Sequence, residues 1–497
     1  MAQMCTALVL LAAASIAVAA VSTTPVGTPT LSDWVKAAGG GGTVKVGQDA
    51  NGVRGLLASC DARVGDVLLE VPLSICLADH GGDDVTAEEP LPGSAPAWSA
   101  TLPWNVQLAA NILTRRDDPA WAPFFASWPD APALPKDSEP DELALAGDRS
   151  LEAMADEACF WLDEQYWALR AAASEARPAG ADAPGAVEPA AADFNDAMAL
   201  VWSRCLKLGA GAQGVRRLLV PLLDLANHEP LPSAMYAFAP GAACGPAIRL
   251  HAARPLVAGD AVTITYGPHT TAHYALYYGF IPAYNPFDTL ETSAGGLLGL
   301  LPDSFTGPPP ADGGWEGALD ALPTELQGEI CLKAAAPPEE LVQALCHLLP
   351  LPPDGDEPAD SLRAAALAGR AVRAVALACA GLEATLLCEM GSEAALRERL
   401  GPLSSRGALL LDVRLSRCAL ARELRGRMES LADEFEAAVA GGEPDGGRSA
   451  SGRLAAMQEE ALQGLADFYP ELDKLPLEEL TSWADRAWDW ESGAYAD

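Results

Sequence analysis

Leu219-Val220-Pro221-Leu222-Leu223-Asp224-Leu225-Ala226-Asn227-His228 is a run of aliphatic side chains that delivers Asp, Asn and His into one short turn. Polar tips carried inward on an apolar stretch must find partners. The segment therefore reads as a satisfied structural turn or as a binding site. Downstream, Thr263-Ile264-Thr265-Tyr266-Gly267-Pro268 sets a phenol at the end of a half-buried strand, with a turn directly after it. Alternation over Ala261 to Tyr266 predicts that strand and puts Val262, Ile264 and Tyr266 on one face. Tyr266, Tyr274, Tyr277, Tyr278 and Tyr284 belong to a chain with only 9 tyrosines, and Phe280 lies among them. Helical spacing predicts that Tyr274, Tyr277 and Tyr278 share one face. Such a cluster is either packing or a cavity whose ring faces hold a cation.

Outward from these segments, Val67 to Pro72 reads as a strand, preceded by the turn Gly52-Val53-Arg54-Gly55. Helices are expected from about Trp104 to Arg116 and from Phe194 to Leu208, separated by an Ala/Pro/Gly loop over 171–193. Gly209 to Gly214 matches G-x-G-x-x-G. It follows a helix and precedes a strand, the reverse of a dinucleotide fingerprint, so it reads as a loop. His269 and His273 have ligand spacing but no H-E-x-x-H glutamate and no third ligand nearby, so no metal is expected. Beyond about residue 310, Ala/Leu/Arg/Glu segments (361–390, 407–439, 452–468) read as helices.

The chain has 497 residues, 68 acidic against 32 basic, for a formal charge of -36. Its length suits two or three domains. A pI near 4.4 argues against binding nucleic acid through its phosphates. The acidity serves solubility or attracts a basic substrate segment. Eleven scattered cysteines without a C-x-x-C pair argue against a disulfide scaffold and a Cys-rich zinc site. No charge precedes Asp33, Ala7 to Ala20 is nearly all apolar, and Ala17-Val18-Ala19 offers a cleavage pattern. With the Ser/Thr-rich stretch that follows, 1–31 reads as a targeting segment, for a plastid reached through the secretory route or for the secretory system itself. No later segment holds 18 uninterrupted apolar residues, so no membrane span is expected in the mature chain.

Taken in order, Ser203-Arg204, Asp224 to His228, Ile264-Thr265-Tyr266-Gly267 and Tyr277-Tyr278-Gly279-Phe280 resemble the SET-domain methyltransferases, of the Rubisco large-subunit lysine methyltransferase type. Trp34, Arg54 to Ala58, and Trp121-Ala122-Pro123-Phe124-Phe125 to Trp128-Pro129 are similar to that family's supporting motifs. The resemblance implies an α+β fold. A SET-type, β-rich catalytic domain would occupy 32–295, with a helical insert at about 82–215. An all-α substrate-binding domain would follow at 310–485. It implies a monomer that uses S-adenosyl-L-methionine to methylate a protein lysine. Histidine is the alternative acceptor within the family, and a non-catalytic binding module is the alternative outside catalysis. By the same resemblance, Gly52, Val53, Arg54, Arg204, Asn227 and His228 would hold the cofactor. Tyr266 would be the catalytic phenol, and Asp224, Tyr236 and Tyr278 would line the acceptor channel. Val53 stands where the family commonly has the first glycine of a G-x-G turn. Leu208, with Lys207 beside it, stands where its lysine enzymes often have a basic residue.

Overall fold

The computed structural model describes residues 29–81, 93–176, 189–211, 214–307, 309–310, 313–324, 327, 330–333, 339–349, 360–388 and 390–441. Nearly all of the expected targeting segment, and the helix expected over 452–468, lie outside them.

Short strands build three small sheets. They are β1 (Gly41–Gly42), β2 (Val44–Gln48), β3 (Arg54–Ala58), β4 (Val67–Pro72), β5 (Leu77–Ala78), β6 (Leu206–Gly211), β7 (Gly214–Leu219), β8 (Asn227–His228), β9 (Ala234–Ala239), β10 (Ala247–Ala252) and β11 (Ala261–Ile264). The sheets are ordered β1-β4-β10-β9, β2-β3-β11-β8 and β5-β7-β6. Leu56, Leu68, Leu69, Val71, Ile248, Leu250, Val262 and Ile264 are all buried between these sheets and the helices that cover them. Three of those helices separate β5 from β6 in sequence: α1 (Trp104–Arg115), α2 (Arg149–Glu175) and α3 (Ala191–Arg204). Asp148 caps α2 by accepting from the Ser150 and Leu151 amides, which removes orphan donors from its first turn.

A second core lies in the helical C-terminal region, where α4 (Asp360–Leu386) and α5 (Ser405–Ala440) pack side by side. Leu362–Leu386 is apolar and long enough to cross a membrane, but half of it is buried within this core. Ala371, Val372 and Val375 lie in one buried cluster with Leu424, Met428 and Phe435, which is the burial of a core helix. A two-stranded ribbon, β12 (Thr289–Thr292) against β13 (Ile330–Lys333), accompanies these helices. The N-terminal half of α5 leaves this core and packs on Leu143, Ala146, Ala275 and Leu276 through Leu410 and Val413.

Several local expectations change. The helix expected to reach Leu208 stops at Arg204, and Cys205 is extended. Leu206 to Gly211 instead pairs with β7 as a hairpin, so glycines expected in a loop lie in strands. A glycine-rich stretch cannot prolong a helix cheaply, and the paired strand satisfies its backbone. The loop expected over 171–193 is trimmed from both ends, because Ala-rich sequence extends α2 to Glu175 and starts α3 at Ala191. β11 ends at Ile264 and buries Val262, Thr263 and Ile264 alike. Val262 and Ile264 join the apolar core, while Thr263 between them bonds Glu229 and Ser233, so the strand alternates in chemistry but is covered on both faces and not half-buried.

Candidate active site

The site arises where β11 lies between β3 and β8. β8 runs parallel to β11, setting Asn227 beside Thr263 and His228 beside Ile264, while Val262 pairs with Leu56 of β3. Three segments distant in sequence thus meet two residues before Tyr266. Ahead of β8 the chain makes a tight turn, with Leu222 buried at φ 67. Such a backbone costs a residue other than glycine about 1–3 kcal/mol. Hydrogen bonds donated by the Asp224, Leu225 and Ala226 amides to the carbonyls of Val220, Leu222 and Leu223, each 3.0 Å, hold it there.

That turn points Asp224 inward. Its Oδ2 accepts from the Trp128 indole at 2.7 Å and lies 3.5 Å from Arg204 Nη1. Arg204, at the end of α3, also donates to the Asp224 carbonyl at 3.0 Å. Burial pushes the Asp224 carboxyl above its ordinary range, against the opposing pull of Arg204, Trp128 and Arg54. Trp128 is held in place by Phe124 and Phe125, at 4.8 and 5.1 Å between ring centroids. Asp224 Oδ1 and Arg204 Nε are both buried without a hydrogen-bond partner.

On the other side lies the turn before β3. Asp49 Oδ1 accepts from the Asn51 and Val53 amides at 2.8 and 2.9 Å, and Gly52 takes a positive φ of 80 there. Val53 is 45% exposed at this turn. Arg54 donates to the Ser127 carbonyl at 3.0 Å, and its own carbonyl accepts from Asn227 Nδ2 at 3.1 Å. A Cβ at Gly55 would lie 2.5 Å from that same Nδ2.

Tyr266 follows β11. Its amide donates to His228 Nδ1 at 3.1 Å, so the neutral imidazole carries its proton on Nε2. That nitrogen is buried and has no partner. The Tyr266 hydroxyl donates to the Ala226 carbonyl at 2.8 Å. Its ring stacks on Tyr278 at 5.1 Å, stands edge-on to Phe280 at 6.1 Å and neighbours His228 at 5.3 Å. Tyr274 closes the box against His228 and donates its hydroxyl to the Gly267 carbonyl. Gly267 is required where it stands: its φ is +125, and a Cβ would lie 2.6 Å from the His269 ring. Burial pushes Tyr266 to about 12 and raises Tyr278 and Tyr274 as well. It lowers His228 and His269 to about 4. The box is therefore uncharged at neutral pH.

The structure gathers Asp224, Tyr278 and Tyr236 on the Tyr266 side, where Tyr236 donates to the Lys207 carbonyl at 3.2 Å. It joins Arg54, Arg204, Asn227 and His228 to the adjoining turns, with Gly52 and Val53 at their outer edge. The expected common face of Tyr274, Tyr277 and Tyr278 does not form. Tyr274–Tyr278 is a π-type turn, and its wider winding sends Tyr277 edge-on against Trp202 at 5.2 Å. Tyr284 is exposed and stands outside the box. His269 and His273 stack ring on ring at 3.9 Å, and no metal-binding group forms among the described residues.

Four contributors escape the sequence reading: Trp128 as the partner of Asp224, Gly55 beneath Asn227, Asp49 in its turn, and Asp288. Asp288 accepts from the Thr271 amide at 2.8 Å and hydroxyl at 2.6 Å, anchoring the start of the aromatic turn. It also accepts from Ser416 of α5 at 3.2 Å. Only Asp49 left a local signal, the turn-forming Asp-x-Asn-Gly.

The architecture is that of a SET-type domain joined to a helical region. The SET domain of LSMT bound to lysine and AdoHcy matches with a TM-score of 0.52 at 18% identity, over 82% of this chain and 92% of that one. The SET domain of LSMT bound to MeLysine and AdoHcy matches at 0.51 and 18%, with the same coverages. Rubisco LSMT bound to sinefungin and monomethyllysine matches at 0.50 and 19%, again over 82% and 92%. No protein-family model and no curated protein matches the chain.

Proposed function

We propose that this protein is an S-adenosyl-L-methionine-dependent protein-lysine N-methyltransferase. The observation that carries the reading is the Tyr266 hydroxyl, drawn to the Ala226 carbonyl at 2.8 Å inside an uncharged aromatic box. The Asn227–Arg54 bond is formed at the neighbouring turn. Orphaned buried atoms support the fit of the cofactor: Arg204 Nε suits a carboxylate, and the His228 N–H suits an acceptor. When bound, the cofactor would supply an electrophilic methyl group on a sulfonium. Asn227, His228, Arg204 and Arg54 would hold it, as the resemblance implies.

The chain's own residues would do the remaining work. A lysine amine has a pKa near 10.4, so presenting it unprotonated at about pH 7.4 costs roughly 4 kcal/mol. The same burial that keeps His228 neutral would lower the amine's affinity for its proton. Tyr266 keeps its own proton, being far above neutral pH, so it would orient the amine through its oxygen lone pairs and not act as a base. Tyr278, Tyr236 and Asp224 would line the path of the acceptor, and the helical region would dock the protein that bears it. The test is transfer of a labelled methyl group from the cofactor into an extract, followed by mapping of the modified residue. Label on lysine is expected. Absence of both cofactor binding and label transfer would refute the reading, and label on histidine would refute the choice of acceptor.

A further inference from the structure

The outer face of α2 carries a short repeat. Asp156-Glu157-Ala158-Cys159-Phe160 and Asp163-Glu164-Gln165-Tyr166-Trp167 repeat the order acid, acid, x, x, aromatic one heptad apart. Leu162 and Leu169, also one heptad apart, are buried on the opposite side. Seven residues return to nearly the same side of a helix. The two units therefore lie along one stripe, separated by about 10 Å at 1.5 Å per residue. Phe160 is 67% exposed and Trp167 62%, and all four acids are exposed. Arg170 holds its guanidinium over the Trp167 ring at 5.0 Å, so this ring already attracts a cation within the chain.

We propose that this stripe is a docking surface for a basic helix of a partner protein, one that presents Lys or Arg at the same heptad spacing. The Phe160 ring, and the Trp167 ring on the face that Arg170 does not cover, would attract a cation beside the two carboxylates of each unit. Charge complementarity selects this occupant. A purely apolar helix would leave four carboxylates without counter-charge. An acidic segment, the chain's own acid-rich stretch after Gly441 included, would be repelled. None of these residues belongs to the site around Tyr266, so the proposal stands or falls independently of methyl transfer.

The test uses the full chain and two fluorescent alanine-based peptides of about three heptads. Their composition is identical, but one carries its arginines at a single heptad position and the other scatters them around the helix. Fluorescence anisotropy should show the heptad peptide binding at least about tenfold more tightly. That preference should vanish in Phe160→Ala/Trp167→Ala and in Asp156→Asn/Glu157→Gln/Asp163→Asn/Glu164→Gln. Melting by circular dichroism should be unchanged in both, because the altered side chains are exposed. Equal binding of the two peptides, no binding of either, or a preference that survives in either variant would overturn the proposal. Equal binding would mean that the chain's net charge of -36 attracts cations without a built surface.

Discussion

Tyr266→Phe removes one oxygen and keeps the ring. The stack on Tyr278 at 5.1 Å and 18° and the edge contact with Phe280 do not need the hydroxyl. What disappears is the 2.8 Å bond to Ala226, leaving a buried carbonyl short of a donor. That loss should lower folding stability by about 1–3 kcal/mol. At roughly 2–4 °C per kcal/mol for a domain of 150–250 residues, the melting temperature should fall by several degrees, with the fold retained. The Asn227–Arg54 and Arg204–Asp224 bonds are untouched, so cofactor affinity by calorimetry should stay within about twofold. Turnover should fall about 10²–10³-fold, the loss seen when one preorganised polar group is removed from a reacting centre. The assay is single-turnover transfer of labelled methyl to the mapped acceptor. A variant that binds the cofactor and turns over within about threefold of the parent removes Tyr266 from the mechanism.

Three further outcomes are expected. Gly55→Ala places a Cβ 2.5 Å from Asn227 Nδ2 and should break the Asn227–Arg54 bond, weakening cofactor binding at least about tenfold while core melting changes little. Unchanged affinity by calorimetry would show that Asn227 does not hold the cofactor. His228 and His269 fall from 6.5 to about 4 on folding, so the unfolded chain binds the extra protons between those values. Their contribution, up to about 3 kcal/mol each, is complete above pH 6.5 and lost as pH falls through about 4; a urea midpoint that does not move between pH 7 and 4.5 would refute the neutral assignment. Asp288→Ala removes the acceptor of both the buried Thr271 amide and its hydroxyl and should destabilise by about 1–3 kcal/mol. The variant should also lose label transfer beyond what its cofactor affinity explains, and transfer at the parent rate would show that the aromatic turn does not need this anchor.

The parts of the site that the sequence made legible are those whose chemistry sits beside their own backbone. Asp224, Asn227 and His228 arrive together on one turn, and Tyr266 follows the strand that pairs with Asn227 and His228, so one short apolar run and one alternating run point to the same place. Trp128 could not be found that way. It is 96 positions from Asp224, and a tryptophan before a proline has no local reason to seek a carboxylate. Leu222 was hidden too, because no propensity favours a branched residue at φ 67; the surrounding turn imposes it. The tyrosine cluster misled in a specific way. Spacing of three and four residues assumes α-helical winding, and the π-type turn breaks that assumption at Tyr277. The β6–β7 hairpin was missed because Leu206-Lys207-Leu208 alternates for only three residues before glycines take over, and strand pairing, not local preference, decides such a stretch.

The box's own titratable groups show how hard it pushes on charge, and that bears on the acceptor. Burial, helped by the neighbouring His269, lowers His228 from 6.5 to about 4. A lysine amine pushed equally would fall from near 10.4 to about 8. Attraction of an ammonium by the ring faces opposes this, but it is worth only about 0.5–2 kcal/mol, against roughly 3.4 for a shift of that size. On the proposed reading desolvation would win, and a further push towards neutral pH has a source nearby. Two guanidinium groups, Arg54 and Arg204, face a single carboxylate, Asp224, and an excess of positive charge further disfavours a second cation. The consequence can be measured once the modified residue is mapped. The rate of single-turnover transfer at saturating substrate should rise with pH and level off at or below about pH 8, with no further rise as Tyr266 approaches its own ionisation. A limb that keeps climbing towards pH 10 would mean that the amine is deprotonated by bulk solvent and that the box does not shift it.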